Sequence, residues 1–168
     1  MSARVSGVFT EIDPPKLLNP TLVFLKNYWD RKRGARQMPS RADINPSEMK
    51  QCLGWVVLVD VLPGFSDFRY RTIGTRVSGY FAPASTGKNV TEVFASYGDT
   101  VVNAMLAPYR KAARDRVVVH AWGAADWIGR AFLDFESLYL PLSDDGMASN
   151  MVLSAVTFEL AGQLKPQG

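Results

Sequence analysis

The last third of the chain restricts the fold more than any other part. Val117 to Trp127, Ala131 to Leu142 and Asn150 to Leu160 are runs of strand-forming residues, and Ser143-Asp144-Asp145-Gly146 is a strong turn between the last two. Three sequential strands with short connections predict an antiparallel meander. A second strand group lies upstream. Trp55 to Leu62 and Phe68 to Thr75 flank the turn Pro63-Gly64-Phe65-Ser66-Asp67, which predicts a hairpin. A sheet of five antiparallel strands follows from these runs, with helices gathered mainly on one face, an α+β domain.

The helices are marked by their ends. Asn19-Pro20 opens one, with Asn as cap and Pro in the first turn, and Gly34 closes it. Leu18, Leu22, Leu25 and Trp29 recur along it as one apolar stripe. That stripe either packs on the chain's own sheet or pairs with its twin in a homodimer. Asn45-Pro46-Ser47-Glu48 predicts a short helix over about 46–53, with Glu48 standing where a capping-box carboxylate belongs. Residues 76–95 carry only short helical and loop signals. A longer helix runs from about Ser96 to Arg114, and Pro108 should bend or divide it near Ala104. Residues 1–18 have no clear period and include Asp13-Pro14-Pro15, so they read as a flexible or extended lead-in. The organisation is thus a lead-in over 1–18, an N-terminal helical segment over 19–53, a sheet-and-helix core over 54–162 and a tail over 163–168.

Composition narrows the chemistry. One histidine, His120, and one cysteine, Cys52, among 168 residues cannot build a structural zinc site, an iron–sulfur site or a disulfide framework. No stretch approaches the roughly 18 apolar residues of a membrane span. The N-terminus lacks the apolar core of a signal peptide, so a cytoplasmic location is expected. The formal charge of +3 is unevenly spread. Lys26, Arg31, Lys32, Arg33, Arg36 and Arg41 face only Asp30 in their segment. A solvated helix end explains this segment better than a nucleic-acid patch, because Lys and Arg in the last turn of a helix are favoured by the helix dipole.

The element order, two strands, a helical stretch and three strands, is that of the PAS fold. Asn27-Tyr28-Trp29, the segment Met38-Pro39-Ser40-Arg41-Ala42-Asp43-Ile44-Asn45-Pro46, the strand Asp67-Phe68-Arg69-Tyr70-Arg71-Thr72-Ile73-Gly74-Thr75 and Thr86-Gly87-Lys88-Asn89-Val90 resemble a proteobacterial family of stand-alone PAS-like proteins over roughly residues 20–160. The resemblance implies a PAS-like five-stranded antiparallel sheet plus an N-terminal helix, and a module that senses a small molecule, light or redox state or mediates pairing. It also implies exclusions. Haem-binding members commonly take a histidine from the long central helix, and residues 96–114 have none. Photo-adduct members use a cysteine in the helical middle, whereas Cys52 precedes the first strand. A non-covalently held flavin stays open although no residue argues for it, so the cofactor is unknown, and the small-molecule ligand has no identity at this stage.

The candidate ligand site lies between the sheet and the helical middle. The third strand sets Val117, Val119, Ala121 and Gly123 on one face and Val118, His120 and Trp122 on the other. Periodicity does not say which face is the pocket. His120 and Trp122 are candidates, with half-buried core as the plain reading. In the fourth strand Leu133, Phe135, Ser137 and Tyr139 share a face, and Asp134, Glu136, Leu138 and Leu140 the other. Tyr139 is a candidate from the first set. Arg69 and Arg71 either meet Glu136 or Asp134 across the sheet or, for Arg71, bind a ligand carboxylate or phosphate. Tyr80 and Phe81 could close over that ligand. The leading expectation is a non-enzymatic sensor that signals in trans, since a chain of this length leaves no room for an output domain. The others are a dimerisation module without ligand, through Leu18, Leu22, Leu25 and Trp29, and a small enzyme using Asp134 or Glu136 as general base.

Overall fold

A computed structural model of the protein describes residues 2–5, 9–12, 15–130 and 132–163. Seven strands form one antiparallel sheet: β1 (Ser2–Val5), β2 (Phe9–Ile12), β3 (Val56–Val61), β4 (Phe68–Ile73), β5 (Val119–Ala124), β6 (Leu133–Leu142) and β7 (Met151–Leu160). Their order across the sheet is β1-β2-β5-β6-β7-β3-β4. The five expected strands are all present. The two extra ones come from the lead-in, where a hairpin pairs β1 with β2 and β2 with the β5 edge. Ser2–Val5 carries little strand signal of its own, and its pairing depends on an edge supplied from residues over a hundred positions away. The expected tail beyond residue 163 lies outside the described residues.

The helix-start signals at Asn19-Pro20 and Asn45-Pro46 act as read, but the short helix expected over about 46–53 is only a 3-10 turn. Helix α1 spans Pro20–Arg33, Asn19 accepts from the Thr21 amide, and the Gly34 amide closes the last turn on Asp30. Pro46–Met49 is a short 3-10 turn capped by Asn45. Glu48 does not serve the cap; it accepts from the Tyr28 hydroxyl at 2.8 Å and pairs with Lys32 at 2.9 Å. Three helices fill the middle: α2 (Thr75–Ser78), α3 (Val90–Phe94) and α4 (Asp99–Asp115). Helix α4 continues through Pro108 instead of dividing.

The sheet is covered on both sides. Helices α2 to α4 pack on one face, over Val57, Tyr70, Ala121, Phe135, Tyr139, Val156 and Phe158. Helix α1 covers the other, over Val56, Leu58, Leu138, Leu140 and Leu153. Alternate residues of β3, β6 and β7 therefore enter different cores, as the two-residue period of a strand requires. Leu22 and Leu25 are completely buried there, and the indole Nε1 of Trp29 donates to the Pro141 carbonyl at 3.0 Å. The apolar stripe thus packs on its own sheet, and Leu18 at its start is only partly buried. Those side chains are covered within one chain and do not form a free surface for a twin.

The sheet order also separates residues that the sequence seemed to bring together. Strands β7 and β3 lie between β6 and β4, so Arg69 and Arg71 cannot meet Asp134 or Glu136. Arg71 instead reaches Asp60 on the neighbouring β3 at 3.5 Å. It also marks an irregularity in the ladder: Tyr70 pairs with Val59 and Thr72 with Leu58, leaving Arg71 as the extra residue. This bulge shifts the alternation by one. Ile73 consequently joins Tyr70 on the α4 side, where simple alternation puts it opposite.

Gly74 shows how closely α2 is set against the preceding turn. A Cβ at this position would lie 2.2 Å from the Gly54 carbonyl oxygen. Only a residue without a side chain permits that approach.

Candidate functional site

Between the sheet and α2–α4 lies a partly enclosed cavity of about 30 Å³. Its walls are mostly apolar and aromatic, including Phe81, Met105, Trp127, Phe135, Val156 and Phe158. Polar groups are confined to Tyr70, Tyr109, Ser137, Tyr139 and the Trp127 indole, and no wall residue carries a formal charge. The rings support one another edge to face: Tyr109 and Tyr139 lie 4.9 Å apart at 83°, and Trp127 and Phe135 6.5 Å apart at 88°. Burial pushes the Tyr139 hydroxyl up to about 12 and raises those of Tyr70 and Tyr109 as well, so all three stay protonated at neutral pH. The Tyr109 hydroxyl is engaged with Ser154 Oγ at 3.0 Å. The buried Nε1–H of Trp127 has no acceptor among the described residues. A buried donor without a partner is costly, so it marks a place where an acceptor would be welcome.

The structure divides the sequence candidates between two faces. Tyr139 lines the cavity. Tyr80 stands just behind its wall, stacked on Phe158 at 4.0 Å between ring centroids and 15° between planes. Phe81 reaches the cavity itself. Arg71 points away, largely exposed beside Asp60. His120 and Trp122 belong to the α1 face, because Val119 and Ala121 are the β5 residues in the cavity-side core. His120 is wholly buried and is engaged at both ring nitrogens. Its Nδ1 accepts from the Lys16 amide at 3.2 Å, and its Nε2–H donates to Glu136 Oε2 at 2.7 Å. It has no position left for a ligand.

Glu136 is equally occupied. Besides His120 it accepts the Leu18 and Asn19 amides at 2.9 and 2.8 Å. These are orphan donors at the start of α1, which no helical carbonyl can satisfy. Asp134, on the same face, accepts from the Gly162 amide at 2.8 Å. Neither carboxylate faces the cavity, so the general-base arrangement is not formed. Together His120 and Glu136 tie residues 16–19 to the sheet. On the other face Glu11 of β2 pairs with Lys111 of α4, which fastens the N-terminal hairpin to that helix.

Several wall residues lay beyond sequence reasoning. Tyr109 fell in the helical period of α4, but nothing marked it as more than core. Trp127 comes from a short turn after β5, and Phe158 from a strand buried on both faces, where periodicity carries no label of inside. Four of the six basic residues over Lys26–Arg41, most of them in α1, are paired with carboxylates: Lys26 and Arg33 with Asp30, Lys32 with Glu48 and Arg36 with Asp43. Among the described residues no cluster of histidine, cysteine, aspartate and glutamate could hold a metal ion, and no helix is long and apolar enough to cross a membrane.

A five-stranded antiparallel core with a small helical middle closing an apolar cavity is the architecture of a sensory or interaction domain. The pattern of the PAS domain family matches residues 18–157, and the chain belongs to that family. PAS domains are in general non-enzymatic sensory modules. No curated protein matches the chain, and no solved structure does.

Proposed function

We propose that this PAS domain is a non-enzymatic sensor that binds a small, largely apolar molecule in the cavity under α4 and passes its state to a partner in trans. The observation that carries this reading is an aromatic cavity with an uncharged wall and an unpartnered Trp127 N–H. Such a wall favours a ring held by apolar contact and oriented by one or two hydrogen-bond acceptors. The volume sets a condition. About 30 Å³ holds a water-sized group, whereas a cavity that binds benzene needs on the order of 150 Å³. A ring enters only if side chains move, and Met105, flexible and on the wall, is suited to move.

The same small volume supports a second reading, an interaction module with no ligand. One experiment separates them. Protein purified from its own host is analysed by native mass spectrometry, alongside Ala121→Leu, which adds bulk on the cavity-side face of β5. A bound small molecule in the wild type that is lost in the variant supports the sensor. An unliganded wild type that no aromatic fragment stabilises in a thermal-shift screen leaves the interaction module.

A further inference from the structure

The cavity wall is uncharged, but two guanidinium groups lie just outside it. Tyr80 covers Phe158 on one face of its ring, and Arg130 lies over Tyr80 with its guanidinium carbon 5.3 Å from the ring centroid. Arg130 thus adds a cation to the Tyr80–Phe158 stack. Trp55 adjoins Tyr80 at 6.0 Å, and Arg76 lies over Trp55 at 5.6 Å. Neither arginine forms an ion pair among the described residues, although most of the other interacting basic side chains do. A guanidinium held over a ring without an ion pair keeps N–H donors for an incoming anion, in the fork geometry that matches a carboxylate. Arg76 is also seated: its Cγ and Cδ lie 3.0 and 3.2 Å from where a Cβ on Gly54 would stand, so the missing side chain makes the notch that receives it.

We propose that Arg76 and Arg130 form an anion-recognition collar over the aromatic wall, and that the ligand of this domain is a flat aromatic acid, its ring taken up in the cavity and its carboxylate held by the two guanidinium groups. The assignment rests on the sensor reading above and adds the ligand's class to it. It accounts for why the cavity carries no charge of its own: the charged end stays at the surface, where solvation of the carboxylate is kept in part and only the ring is desolvated. It also identifies the layer that must move, since Arg130 and Tyr80 lie between solvent and Phe158.

Benzoate and benzamide have nearly the same shape and differ in charge, so the pair isolates the collar. Each is titrated into the full chain while backbone and side-chain NMR signals of Trp127, Phe135 and Tyr139 are followed. Benzoate is expected to bind about tenfold more tightly than benzamide, the advantage shrinking at high salt. Arg130→Gln and Arg76→Gln should each lower benzoate affinity by roughly fivefold and leave benzamide within twofold. Both residues lie at the surface, so unchanged thermal midpoints verify folding. Equal binding of the two compounds, or glutamine variants that bind benzoate as the wild type does, overturns the collar and leaves the sensor reading standing. If neither compound moves the cavity signals, the collar is overturned, and the sensor reading is decided separately by the native mass spectrometry above.

Discussion

Leu25→Ala tests the placement of α1 directly. Leu25 has no exposed surface and packs among Leu22, Trp29, Leu138, Leu140 and Leu153. The substitution removes three carbon atoms from that core, a loss of about 2.4 kcal/mol at ~0.8 kcal/mol per methylene. The void left behind adds to this, because the ten-residue strands β6 and β7 beneath cannot collapse freely, so a total of about 3–4 kcal/mol is expected. For a chain of this size that lowers the thermal midpoint by roughly 6–16 °C. Urea unfolding followed by circular dichroism measures the free energy. Val23→Ala, on the same helix but 38% exposed, is the matched control and should cost less than about 1 kcal/mol. The intrachain placement also requires a wild-type midpoint independent of protein concentration. A Leu25→Ala cost below about 1 kcal/mol, or a midpoint that rises with concentration, would show the stripe to be covered by a second chain and would refute the argument.

Three further outcomes follow from other parts of the fold. Glu136→Ala strands the His120 Nε2–H and the Leu18 and Asn19 amides, so a loss of about 3 kcal/mol or more is expected, with hydrogen exchange faster at residues 16–22 than in β7; uniform exchange would count against a local tie. Tyr139, with its hydroxyl pushed up to about 12, is protonated in the folded chain at pH values where the unfolded chain ionises at about 10. Stability should thus be intact below pH 10 and fall as pH rises toward 12, and absorbance titration near 295 nm should find tyrosines that ionise only as the fold is lost. Gly74→Ala forces a Cβ into the Gly54 carbonyl, and an overpacking cost of about 2–3 kcal/mol is expected by thermal denaturation, whereas Gly64→Ala meets no atom and should cost only the left-handed backbone strain of its φ of 68°, about 1 kcal/mol.

The division between the legible and the illegible follows one physical line. Caps, turns and alternation are local, and they were read correctly at Asn19-Pro20, Asn45-Pro46 and Ser143–Gly146. The edge of the sheet was harder. The bulge at Arg71 reverses the side on which Ile73 falls, and the lead-in hairpin gains its backbone partners only from β5. His120 and Trp122 were reasonable candidates because a strand pattern has no sign: turned over, it is the same pattern.

The amino-acid sequence by itself determined the five core strands, the N-terminal helix with its apolar stripe, the PAS-like order and the exclusion of a structural zinc site, an iron–sulfur site and a disulfide framework, all properties of neighbouring residues or of composition. Only the tertiary structure decided which face of the sheet holds the cavity, what α1 covers and which arginines stand near the site. Strand β6 is buried along its whole length on both faces, so its burial labels neither side as interior. Arg76 comes from α2 and Arg130 from the segment between β5 and β6, and only folding brings them to Trp55 and Tyr80.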